Sequence, residues 1–379
     1  MTRRADPFIV FNRIASEVWM TGPDMFVHAP QPVLPSPSFA VAEEFDPATP
    51  LPRLLLPEGL SHFLYAHYYL QDSNEVENGR KHALSQIPIR AREDPAFGRA
   101  LRAANRGRGY VDPGWVVVGH ADGGTRAKKN GITLFLSEAD IVSPSARAEG
   151  STLLDIGTPI AVRFPNDRPY ASPGFYTAEG DGGPATAEGG QEIVRIYFAA
   201  VPEHAAALLS ALTETLGAAL SRFSCKLLNN PRWYTRPDAA VAYVLRDEYP
   251  RAHRMLRSVV LRLRDGLIDR TPSLTFPIAR GVAVADEPRG DSPITRQSFG
   301  FHRSELIATG LARAYAADAQ TPEGRRAWIL HEFRAAGLDP RRPWLNPGSN
   351  DFDPLDVDDD AVFGDSSREA SSLSMQRPI

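Results

Sequence analysis

Cysteine is almost missing from this chain: Cys225 is the only one in 379 residues. That excludes an intramolecular disulfide and any cysteine-cluster metal site. Lys226 beside it makes a reactive thiol conceivable, but the favoured reading is a small buried apolar residue. Long hydrophobic runs are missing too: none approaches the roughly 18 residues a membrane-spanning helix needs. The N-terminal MTRRADPFIVF lacks the apolar core of a signal peptide, so the expectation is a cytoplasmic protein with no membrane partner. No GxSxG, Walker A or zincin pattern occurs, and the GDGG at 180–183 is too short and too close to proline for a phosphate loop. This argues against the commoner hydrolase and nucleotide-binding classes. The nine histidines are scattered, and the nearest pair, His62 and His67, is spaced by five, which does not align on a helix face. The expectation is therefore no metal and no cofactor.

What the chain does contain is enough apolar residue, 42%, for a sizeable core, and a formal charge of −4 that is unevenly spread. Residues 351–379 carry DFDPLDVDDD and a Ser-rich end, which reads as an acidic disordered tail. The body without it is near neutral or slightly basic, which permits an acidic substrate without implying nucleic acid. The first 57 residues are proline-rich and read as an extended lead-in.

Periodicity then predicts helices over 58–70, 95–104, 247–265, 298–315 and 323–336, strands over 115–118, 132–136 and 160–164, and a strand or hairpin over 274–284. The glycine- and proline-rich stretch 167–190 is predicted to lack regular structure, as a substrate-side lid or a plain surface excursion. The fold class is α+β, with a central, mainly antiparallel sheet flanked by helices.

The richest chemistry lies in 191–240. Ile193 to Phe198 is a β-branched and aromatic run in which Arg195 and Tyr197 point to the same side. Pro202 opens a helix whose Leu209, Leu212, Leu216 and Leu220 form one stripe. Phe223 to Leu228 is extended again, which places Lys226 on a strand, and Asn229-Asn230-Pro231 closes it as a turn.

The succession SPGFYTAEGD, VRIYF, FSCKLLNNPRWYTRPDAAVAYV, ARGVAVADEP and SFGFHRSELIATGLA resembles the HopA-like type III effector family, in particular the HopA-like lyases of class V lanthipeptide and related thioamide-peptide pathways. The resemblance spans about Leu60 to Tyr315. It implies a fold similar to the effector phosphothreonine lyases. In those lyases a Lys-x-His strand precedes a strand bearing the catalytic lysine, then an arginine and a tyrosine. The matching positions here are Arg195-x-Tyr197, Lys226, Arg236 and Tyr243. A tyrosine thus stands where the relatives keep a histidine acid, and an arginine replaces their first lysine. The domains expected are the lead-in 1–57, a lyase domain 58–345 (peptide-binding over 58–150, catalytic over 151–345) and the tail 346–379.

The implied reaction eliminates phosphate from a phosphoserine or phosphothreonine of a precursor peptide, leaving dehydroalanine or dehydrobutyrine. It needs a base for the Cα proton and cations for a leaving group carrying about −1.5 to −2 charge. Lys226 is the expected base, in its neutral form. Tyr197, with His302 as second choice, is the expected acid. Arg195, Arg236, Arg303, Arg163 and Arg280 are candidate phosphate ligands, since guanidinium forks match phosphate oxygens, and Arg303 sits near a predicted helix N-terminus. Tyr243, Tyr176 and Lys129 complete the candidate pocket. The implied partners are the phosphorylated precursor peptide, a separate pathway kinase and a cyclase subunit. The rival expectation is a non-catalytic scaffold that holds a phosphopeptide or a partner enzyme in the same basic pocket.

Overall fold

A computed structural model describes residues 6–23, 25–29, 31–33, 58–71, 93–121, 123–142, 154–169, 171–187, 190–289 and 297–357. Its centre is a six-stranded sheet made of β9 (Phe175–Glu179), β10 (Ile193–Phe198), β11 (Phe223–Leu228), β12 (Ala240–Leu245), β13 (Phe276–Ala279) and β14 (Val282–Asp286). The order is β13-β14-β10-β12-β11-β9, and every pairing is antiparallel. Gly281, at φ +67°, makes the turn between β13 and β14, where a Cβ would stand 2.4 Å from the Ile268 carbonyl oxygen.

The sheet has two unlike faces. One, carrying Val194, Ile196, Phe198, Cys225, Leu227, Ala242 and Val244, is sealed by α4 (Ala205–Leu212, extended by a π turn over Thr213–Gly217) and α5 (Tyr249–Arg262). Leucines at helical spacing supply the covering stripe, from Leu208 to Leu216, all at or below 1% exposure. Cys225 is fully buried here, and burial pushes its thiol well above the ordinary range, in keeping with a packing role. α3 (Pro95–Ala104) packs against α4 and the edge strand β9; Asp94 caps it, accepting from the Ala96 and Phe97 amides.

The other face of the sheet is covered only in part. α2 (Glu58–Leu64) continues as a π turn over Tyr65–Tyr69, and α6 (Phe299–Ala316) begins beside it, its first turn capped by Ser298. Gly300 permits this approach, because a Cβ there would meet the Tyr69 ring at 2.1 Å. These helices join α1 (Pro7–Glu17), α7 (Pro322–Ala335), β1 (Val18–Gly22) and β2 (Met25–His28) around a second core that includes Phe11, Leu60, Leu311 and Phe333. Residues 7–22 and 25–28 are therefore helix and paired strands where an extended lead-in was expected. β3 (Gln31–Val33) adds an edge to that hairpin. At the other end, Phe352 and Leu355 pack on the central core and the Leu355 amide donates to the Ile278 carbonyl, so the start of the expected tail is ordered. Residues 358–379, most of that tail, lie outside the described residues.

A separate five-stranded antiparallel sheet has the order β6-β5-β4-β8-β7, from β4 (Tyr110–Ala121), β5 (Gly124–Lys129), β6 (Ile132–Leu136), β7 (Ile141–Val142) and β8 (Pro159–Phe164). It buries Trp115, Val117, Ile160 and Val162 on one side. The predicted irregular stretch 167–190 in fact contains β9, whose five residues are all buried beside the lysine-bearing strand. Its aromatic pair is thus part of the sheet. The α+β architecture with antiparallel sheets flanked by helices is the one expected.

Candidate active site

Strand register decides which candidates meet. Lys226 pairs with Val241 and Thr177, Arg195 with Tyr243, and Tyr197 with Val241, so Lys226, Arg195, Tyr197 and Tyr243 all project from the partly covered face. Between that face, the π turn after α2 and the start of α6 lies a cavity of about 340 Å³. Arg195, Tyr197, Lys226 and Arg236 line it, together with His62, Tyr65, Tyr69, Phe175 and Asp238.

Each cation has a distinct setting. Arg195 is buried, and Nη2 donates to Glu287 Oε1 at 2.7 Å while Nε pairs with Oε2. Its guanidinium also lies 5.2 Å from the Tyr243 ring centroid. Burial disfavours its charge, but Glu287 and the two phenols more than offset that, so it remains cationic. Arg236 is held by Asp238 through Nε and Nη2, at 2.8 and 2.9 Å. Lys226 is half-buried, its Nζ 4.5 Å from the Phe175 ring centroid and 6.0 Å from that of Tyr243. Among the described residues it has no ion-pair or hydrogen-bond partner. The Tyr197 hydroxyl is enclosed, with the Tyr69 phenol beside it, and burial holds it well above the ordinary tyrosine range against the opposing charge of Arg195. It stays a protonated donor at neutral pH. Ser298, Gly300 and Phe301 at the N-terminus of α6 close the opposite wall, where the positive end of the helix dipole favours an anion.

The remaining candidates stand elsewhere. Tyr176 is one residue out of phase with Phe175 and Thr177, so it points through the sheet to the other side, where it donates to Asp167 at 3.0 Å and accepts from Asn105 at 3.1 Å. Lys129 belongs to the five-stranded sheet, tied to Asp112 at 2.6 Å. Arg163 is exposed on β8 of that sheet, and Arg280 is exposed in the turn between β13 and β14. Arg303 is fully buried inside α6, donating to the Pro343 carbonyl at 2.8 Å and to His302 Nδ1 at 2.9 Å, and burial lowers it to about 10. His302 Nδ1 is thereby an acceptor, and neither residue lines the cavity.

Sequence reasoning missed the helical wall. His62, Tyr65 and Tyr69 read as an apolar-aromatic helix face, which they also are: His62 packs edge-on against Phe301 with centroids 4.9 Å apart. The carboxylates Asp238 and Glu287 were missed too. Asp238 had a local signal, two residues after Arg236, whereas Glu287 reaches Arg195 across 92 residues and only strand pairing reveals it. A larger surface groove, about 790 Å³, sets Arg246 and Arg254 among Glu192, Asp247, Asp351 and Asp353, so acidic groups outnumber basic ones there.

All six strands of the central sheet, the lysine, both arginines and both carboxylates fall within one continuous segment, 166–345. Residues 166–345 match the HopA1 effector protein family. The HopA1 match thus takes in Arg195, Tyr197, Lys226, Arg236, Asp238 and Glu287 and leaves out His62, Tyr65 and Tyr69. Two solved structures are similar: the effector protein from Pseudomonas syringae pv. tomato strain DC3000 (14% identity, TM-score 0.39, 76% of this chain and 98% of that one) and the effector protein from Pseudomonas syringae pv. syringae strain 61 (13%, 0.38, 77% and 99%). No curated protein matches. Among the described residues no helix is long and apolar enough to cross a membrane.

Proposed function

We propose that the cavity is the active site of a metal-independent carbon–oxygen lyase that eliminates phosphate from phosphoserine or phosphothreonine in a kinase-phosphorylated precursor peptide, as in lanthipeptide-type maturation. The observation that carries this reading is Lys226: an amine without an acidic partner among the described residues, facing the same cavity as two arginines and a buried phenol.

In the reaction, neutral Lys226 Nζ takes the Cα proton. The electron pair of that C–H bond becomes the Cα=Cβ double bond, and the Cβ–O bond breaks with its electrons leaving on phosphate. Arg195, Arg236 and the α6 N-terminus receive the growing negative charge. Their carboxylate partners hold both guanidinium groups in place, which preserves orientation at the cost of part of the net charge. Tyr197 donates a hydrogen bond to the departing oxygen, and the phosphomonoester, whose second pKa is about 6, leaves as hydrogen phosphate when it carries its one remaining proton. The phosphopeptide, its kinase and a cyclase subunit are the partners this reading implies.

The buried Arg195–Glu287 and Arg236–Asp238 pairs favour a second reading, in which the arginines are structural and the cavity only holds a phosphopeptide. A synthetic phosphoserine peptide incubated with the protein without metal separates the two by mass spectrometry. Loss of phosphoric acid, with a product that traps thiols, is expected of the lyase. An unchanged but retained peptide identifies the scaffold, and plain serine would reveal a phosphatase.

A further inference from the structure

Away from the cavity, Glu17 at the end of α1, His28 at the end of β2 and His67 in the π turn after α2 converge, with one ligand atom from each lying within 4.8 Å of the others. We propose that these three side chains bind a single divalent transition-metal ion of the zinc class, and that the ion fixes the helical wall of the cavity. The sequence offered no such site because His67 was paired there with His62, whereas the fold joins it to residues 39 and 50 positions earlier.

The geometry suits a metal better than hydrogen bonding. His28 Nε2 stands 3.7 Å from Glu17 Oε2, too long for a hydrogen bond. It is close to the roughly 3.3 Å that ligand atoms keep around a tetrahedral ion with bonds of about 2.0 Å. The His28 and His67 rings meet edge to face with centroids 4.5 Å apart, and His67 Nδ1 is buried without a hydrogen-bond partner among the described residues. A buried, unpaired nitrogen is costly, and a bound cation would satisfy it.

The surroundings fit a ligand shell as well. The Tyr68 hydroxyl donates to Glu17 Oε2 at 2.7 Å, the kind of outer contact that orients a ligating carboxylate. His67 stacks on Phe63 at 5.2 Å, and His28 packs on the same ring at 5.1 Å, which fixes both imidazoles. Arg13 also reaches Glu17, but its side chain is 54% exposed and can turn to water at small cost. Two imidazoles and one carboxylate select zinc-class ions over calcium or magnesium, and leave a fourth position for water. His67 shares its turn with Tyr65 and Tyr69, which line the cavity, so an ion on one side of the turn would anchor the residues on the other.

The test uses the full chain, stripped with a chelator and titrated with Zn²⁺ alone by calorimetry, with Co²⁺ absorption reporting coordination. The wild type and a His331→Gln control are expected to take up about one equivalent and to show the visible bands of a four- or five-coordinate cobalt site. His67→Gln and His28→Gln are expected to bind at least about 10-fold more weakly while keeping the metal-free Tm and far-UV dichroism of the wild type. Failure of the stripped wild type to bind, or equal binding by the two ligand variants and the wild type, overturns the proposal. Should His67→Gln not fold, His28→Gln and Glu17→Gln carry the same comparison. A wild-type Tm unmoved by saturating Zn²⁺ overturns the anchoring role, since an ion bound only to the folded state must raise it.

Discussion

The two faces of the six-stranded sheet are built from the same strands, often from adjacent residues, yet do opposite work. On β10, Val194, Ile196 and Phe198 enter a sealed apolar core, while Arg195 and Tyr197 reach the cavity. On β11, Cys225 and Leu227 are core and Lys226 lines the cavity. The sealed face gains stability from burial, and that stability lets the other face keep an arginine, a lysine and a phenol close together. The contrast also shows why aromatic or basic character alone does not identify a site residue: Tyr176 and Tyr197 are both buried tyrosines on one sheet, and only the pleat separates their roles.

The comparison breaks most visibly at Lys226. Lys226→Ala is expected to lower the elimination rate by about 10²–10⁴-fold, as for loss of a general base, with little change in Tm; unaltered turnover in a quenched mass-spectrometric time course would remove Lys226 from the mechanism. Its counterpart on the sealed face, Phe198→Ala, is expected to cost about 3–5 kcal/mol in chemical denaturation, because a fully buried ring leaves a cavity.

Glu287→Ala joins the two effects. Removing the partner of a buried charge is expected to cost about 3–5 kcal/mol, and Arg195 would lose its fixed orientation, so both denaturant midpoint and phosphopeptide affinity should fall. Unchanged affinity would show that Arg195 serves only the fold. The finest comparison is between two phenols. Tyr197→Phe is expected to slow elimination by about 10-fold or more through the lost donor, whereas Tyr176→Phe is expected to cost about 1 kcal/mol of stability and leave the rate alone. Equal rate effects from both would mean that the two faces are not chemically separate.

Much of this was legible in the chain. The strand at 193–198, the strand at 223–228 and the helix between them were all readable, because β-branched runs and leucine spacing are local signals. β9 was not, since its glycine- and proline-rich flanks resemble a loop and only pairing with β11 makes Phe175–Glu179 a strand. The helical wall was hidden for a similar reason: His62, Tyr65 and Tyr69 carry an ordinary amphipathic pattern, and nothing local says that they face a cavity. Arg163, Arg280 and Lys129 illustrate the converse, since a charge near a motif in sequence can belong to another sheet or to a turn.

By itself the sequence determined which residues could share a side. Alternation along one strand is a property of the backbone, so Arg195 and Tyr197 had to point together wherever the strand lay. Only the tertiary structure decided what they point at. Glu287 reaches Arg195 across 92 residues, and Glu17, His28 and His67 meet through three separate elements. Such meetings depend on pairing register and helix packing, whose energies are spread over the whole core and leave no mark on any short stretch of chain.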